Sequence, residues 1–101
     1  MNKIEHLFVC LTEEAAEISQ AACKIQRFGP GNLESDRAKT NIEQLTTEVN
    51  DLVAILELLS EEGVILPNLY SKEQVELKKK KLRDWMIVSK RLNLLQSTTP
   101  S

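Results

Sequence analysis

Apolar residues recur at intervals of three and four from residue 3 to residue 28. Ile4, Leu7, Phe8, Leu11, Ala15, Ile18, Ala22 and Ile25 trace one stripe. At 100° per residue that spacing predicts an amphipathic helix. Gly29-Pro30-Gly31 predicts its end, because glycine supplies a left-handed cap and proline blocks continuation. A polar loop is expected through Arg37. A second stripe, Ile42, Leu45, Val49, Leu52, Val53, Ile55, Leu56 and Leu59, predicts a helix from Ala38 to Glu62, closed by Gly63. Val64 to Tyr70 reads as an apolar, packed loop broken by Pro67. Ser71 and Gln74 have the spacing of a capping box. They open a third helix over residues 72 to 93, with Val75, Leu82, Trp85, Met86 and Leu92 as its expected buried face.

The pattern therefore predicts an all-α chain: one helical domain over residues 1–94 and a frayed tail over 95–101. Three helices this rich in leucine and isoleucine leave apolar faces that a small chain does not cover. A four-helix core completed by a second copy, as a homodimer or homotetramer, is the expected solution.

Two acidic groups interrupt the apolar pattern. On the first helix Glu13, Glu14 and Glu17 form a strip flanking the stripe, with Glu14 at its edge. On the second, Glu48 falls inside the apolar arc near Leu52 and Ile55, and Asp51 lies at its margin. An ionised glutamate facing a core is costly unless it is paired or metal-bound. Asn41, one heptad before Glu48, sits on the same side. Carboxylates drawn from two neighbouring helices repel each other unless a cation lies between them. Hard oxygen-seeking ions, Mg²⁺ or Mn²⁺, suit such a site.

Composition narrows the function classes. Among 101 residues the formal net charge is −2 and aromatics make up 4%. That balance gives no general attraction to nucleic acid or to an anionic membrane. No apolar run approaches the roughly 20 residues that span a bilayer, and no secretory leader is expected at the start. Cys10 and Cys23 are too few for a disulfide framework and read as reduced thiols of a cytoplasmic protein. A catalytic thiol wants a partner histidine, and no histidine is expected to be well placed for one; the cysteines read as filler. His6, at a helix start, reads as a surface or packing residue. Lys78-Lys79-Lys80-Lys81 reads first as a solvated helix surface, and Phe28 and Trp85 read first as core.

The acidic spacing E-E-x-x-E followed by E-x-x-D resembles that of the all-α nucleoside triphosphate pyrophosphohydrolases, the MazG-like superfamily. The likeness extends over Leu11–Glu17, Lys24-Ile25-Gln26-Arg27-Phe28-Gly29 and Asn41–Leu52, and covers roughly residues 6 to 60. Small phage and bacterial members are the most similar. Two departures stand out: thirty residues separate Glu17 from Glu48, slightly more than is usual, and Asn50 stands where many relatives have glycine.

The resemblance implies Mg²⁺-dependent cleavage of a (deoxy)nucleoside triphosphate between its α and β phosphates, in nucleotide-pool cleaning or control. It implies Glu14, Glu17, Glu48 and Asp51 as metal ligands, with Glu13 as a helper ligand or water-orienting base. Lys24, Arg27, Lys78 and Lys81 become phosphate contacts, Asn41 a sugar or base contact, and Phe28 and Trp85 platforms for the base. The rival expectation is a non-catalytic helical dimerisation or adaptor module on the same scaffold.

Overall fold

The computed structural model describes residues 1–31 and 39–96. They contain three helices and no strand: α1 Lys3–Phe28, α2 Asn41–Glu61 and α3 Lys72–Arg91. The expected loop through Arg37 and the expected helix start at Ala38 lie outside the described residues, as does the tail from residue 97 onward. The chain divides into two compact units, Met1–Ile65 and Leu66–Ser101.

Each helix boundary has a local cause. α1 starts where the Asn2 side chain accepts a hydrogen bond from the Glu5 amide at 2.8 Å. It stops at Gly29, whose φ of +87° favours a residue without a Cβ. α2 starts at Asn41, later than the apolar pattern suggests, because Thr40 and Glu43 form a reciprocal capping box. The Thr40 amide and hydroxyl donate to the Glu43 carboxylate and hold its pKa below the usual range. α2 closes in a Schellman motif, with Gly63 N–H to Ser60 C=O and Val64 N–H to Leu59 C=O, both 3.0 Å.

α3 begins at the expected residue, with Ser71 Oγ accepting from the Gln74 amide at 3.2 Å. The Ser71 amide donates to Asn68 C=O instead of the Gln74 side chain, so only half of the expected capping box forms. It ends at Arg91, two residues early, because Asn93 takes a left-handed conformation at φ +58°. Asn93 N–H to Lys90 C=O and Leu94 N–H to Ser89 C=O then repeat the Schellman closure.

In the first unit α1 and α2 form an antiparallel hairpin. At its turn end the Ile42 amide donates to Pro30 C=O at 2.9 Å, and Asn41 Nδ2 donates to Gly29 C=O at 3.0 Å. At the open end Lys3 Nζ meets a Glu62 oxygen at 3.3 Å. Among the described residues Leu7, Ala21 and Leu59 are the buried apolar side chains, and Leu59 is fully buried. A two-helix seam covers only a narrow stripe, so the outer parts of wide apolar arcs stay in solvent. Phe8, Ala15, Ile42 and Val49, expected on those stripes, are accordingly exposed.

The second unit differs from its expected burial. None of the α3 residues is buried, and Val75, Leu82, Trp85, Met86 and Leu92 are all exposed. Nor is the 64–70 segment packed throughout, since Ile65 is 85% exposed.

Candidate metal centre

Glu14 and Glu17 stand one turn apart on α1, and Glu48 reaches toward them from α2. One carboxylate oxygen of each lies within 4.8 Å of the other two. Glu48 is only 8% exposed, Glu14 is half-buried and Glu17 is open to solvent. Gln44, one turn before Glu48, donates its Nε2 to Glu48 Oε1. With the carboxylates ionised, the other oxygen, Glu48 Oε2, and Glu14 Oε1 are both buried with no donor to accept from; only a proton held within the cluster, or a cation, can serve them. A buried acceptor without a donor is costly.

Electrostatics reports the same crowding. The Glu14 carboxyl is pushed up to about 7, first through its hydrogen bond with Glu48, then by burial and by the charges of Glu48, Glu17 and Asp51. Glu17 is raised too, chiefly by hydrogen bonding and charge from Glu48. Glu48 is lowered despite its burial, because Glu14, Glu17 and Gln44 hydrogen-bond to its carboxylate and Lys39 adds positive charge. These opposite directions describe shared protons: without a cation the cluster holds hydrogen where like charges would otherwise meet.

A divalent ion can take the place of those protons. An octahedral Mg²⁺ with oxygens at about 2.1 Å sets opposite ligands about 4.2 Å apart. Neighbouring ligands lie about 3.0 Å apart, so drawing in three oxygens that stand within 4.8 Å of one another takes shifts of up to about an ångström each, within reach of glutamate rotamers. The donor set is all oxygen and anionic, and two of the buried oxygens want a positive partner. The residues fit a hard divalent cation.

The remaining sequence-predicted residues fall at graded removes. Asp51 is exposed and acts on Glu14 and Glu17 through its charge; Glu13 is exposed and its charge is felt by Glu17. Lys24 lines a cleft of about 150 Å³ together with Glu17, Gln20, Ala21, Gln44 and Glu48. Arg27 places its guanidinium 5.1 Å from the centroid of the Phe28 ring, a cation–π contact. Phe28 is 54% exposed, contrary to a core role. Asn41 is 2% exposed and braces the hairpin turn through Gly29.

Lys78, Lys81 and Trp85 belong to the second unit and are exposed on α3. The neighbouring lysines are paired along that helix, Lys79 with Glu76 at 3.0 Å and Lys80 with Asp84 at 2.8 Å.

Sequence reasoning passed over Gln44 and Gln20. Both were accessible to it: Gln44 precedes Glu48 by four residues and Gln20 follows Glu17 by three, so each shares the face of an acid. It also held that no histidine was well placed beside a cysteine. The structure corrects this, with His6 Nε2 3.6 Å from Cys10 Sγ, again at a spacing of four.

No family model, curated protein or solved structure matches this chain.

Proposed function

We propose that this chain is a Mg²⁺-dependent nucleoside triphosphate pyrophosphohydrolase of the MazG-like kind, cleaving a (deoxy)nucleoside triphosphate into its monophosphate and pyrophosphate. One observation carries the reading. Three glutamates from two helices converge to within 4.8 Å, and with the carboxylates ionised two of the oxygens there are buried with nothing to accept from.

In this reading Glu14, Glu17 and Glu48 hold the ion and Asp51 adds a fourth carboxylate. Mn²⁺ is an accepted substitute, since it prefers the same ligands. Bound there, the ion neutralises phosphate oxygens and acidifies a water molecule. Glu13 orients that water for in-line attack. Lys24, in the cleft beside Glu17 and Glu48, draws the phosphate chain in and balances charge on the departing pyrophosphate. Arg27 is a further phosphate contact, and Asn41 and Phe28 contact the nucleoside. The protein works in the cytoplasm as a homodimer or homotetramer, its apolar faces covered by other copies. No helix of the described residues is long and apolar enough to cross a membrane, and the net charge of −2 does not favour nucleic acid.

Incubation with each (d)NTP and Mg²⁺, followed by separation of products, tests the reading. Monophosphate and pyrophosphate are expected. Orthophosphate with a diphosphate product contradicts the proposed bond cleavage.

A second reading, a non-catalytic helical dimerisation module, draws on the apolar side chains exposed along α3, Trp85 among them at 67%. On that reading Glu48→Gln leaves function intact and, by removing a buried charge, raises thermal stability.

A further inference from the structure

Outside the carboxylate centre, two further side chains that can ligate metal meet on α1. His6 Nε2 and Cys10 Sγ lie 3.6 Å apart on successive turns of α1. Cys10 is half-buried, His6 is exposed, and the second cysteine, Cys23, is exposed much further along the same helix. The separation has a chemical meaning. A tetrahedral zinc ion holds sulfur at about 2.3 Å and imidazole nitrogen at about 2.0–2.1 Å, which places the two donors roughly 3.6 Å apart. The pair thus stands at the bite of a chelate, with no rearrangement of the helix.

The donor types differ from those next door. Glu14 and Glu17 offer hard carboxylate oxygen, whereas thiolate sulfur and imidazole nitrogen select zinc and softer ions and discriminate against magnesium. At 100° per residue, His6, Cys10, Glu14 and Glu17 all fall within one 80° sector of α1. A single helix face therefore passes from a soft nitrogen–sulfur pair to a hard oxygen cluster within about three turns.

We propose that His6 and Cys10 form a two-point binding site for a thiophilic divalent cation of the zinc and cadmium class, separate from the carboxylate centre. Binding replaces the Cys10 thiol proton, which leaves to bulk solvent, by a sulfur–metal bond. The imidazole donates its Nε2 lone pair, so the Nδ1–H tautomer is the competent one. Water fills the remaining positions of the tetrahedron.

The probe is Cd²⁺ alone, titrated into the full chain under a non-thiol reductant with excess Mg²⁺ present to occupy the carboxylates. The ultraviolet thiolate-to-cadmium charge-transfer band reports sulfur ligation directly, whether or not the protein hydrolyses nucleotides. One equivalent should saturate the band in the wild type and in Cys23→Ser. Cys10→Ser should abolish it, and His6→Gln, at an exposed position, should weaken binding at least about tenfold. A band that persists in Cys10→Ser and vanishes in Cys23→Ser overturns the proposal. So does a His6→Gln protein that binds as tightly as the wild type, since sulfur would then act without the imidazole.

Discussion

The hairpin of α1 and α2 and the helix α3 of the second unit make opposite uses of charge. In the hairpin Glu48 is buried and shares hydrogen bonds and protons with its neighbours. On α3 the acids pair with lysines in open solvent, Glu76 with Lys79 and Asp84 with Lys80. Exposed pairs at helical spacing are screened and contribute only about 0.3–0.5 kcal/mol each. Removing water from a carboxylate makes each neighbouring charge count for far more. The proposed chemistry lies where charge is hard to accommodate, and the solvated helix offers an internal control for it.

The largest expected effect breaks the hairpin's side of that contrast. Glu48→Gln should lower pyrophosphohydrolase turnover at least about a thousandfold, about 4 kcal/mol of transition-state stabilisation. The same change should erase the rise in Tm that Mg²⁺ gives the wild type, worth about 2.7 kcal/mol at a hundred times Kd. A variant that keeps both turnover and the magnesium response sinks the metal assignment.

Next comes packing. Leu59→Ala, which truncates a fully buried side chain, should cost about 3 kcal/mol in urea unfolding. Leu82→Ala on α3, exposed in the single chain, should cost much less when the protein is dilute. Equal losses for the two would show that α3 is buried in the species being unfolded.

Gln44→Leu keeps the size of the side chain and removes the donor to Glu48 Oε1. Loss of a group that orients a metal ligand typically weakens affinity by about 10- to 100-fold. Calorimetric titration with Mn²⁺ reads this, and unchanged affinity would leave Gln44 as mere lining of the cleft.

The smallest effect is on pH dependence. Glu14 is raised from 4.5 to about 7, so the folded protein binds more protons than the unfolded chain across that window. Stability from this group is present below 4.5 and is lost as pH rises through about 7. Tm of the metal-free protein should therefore fall between those values. Saturating Mg²⁺ should flatten the fall, because the ion binds the deprotonated form. A metal-free Tm that rises across the window contradicts the shared-proton description.

Much of this was legible in the chain itself. Periodicity, with glycine, proline and capping signals at the ends, placed all three helices, and the wheel position of Glu48 marked the one acid buried among the described residues. The start of α2 was misjudged because apolar spacing outweighed the Thr40–Glu43 cap, a local hydrogen-bond signal. The end of α3 was misjudged because asparagine, unlike glycine, does not announce a left-handed residue. Burial on α3 was illegible for a different reason. An amphipathic pattern says which face wants covering, and only a partner decides whether it is covered. Gln44 and the His6–Cys10 pair needed nothing beyond the spacing of four that had already located the acids.

The bracing of the hairpin turn has a consequence for how this chain tolerates change. Asn41 and Ile42 fasten the head of α2 to Gly29 and Pro30, so the register of the two helices is set by residues that flank positions 32–38. Arithmetic along the sequence between Glu17 and Glu48 is thereby uncoupled from their distance in space. A change that broke either of those bonds would free α2 to slide along α1 and draw the acids apart.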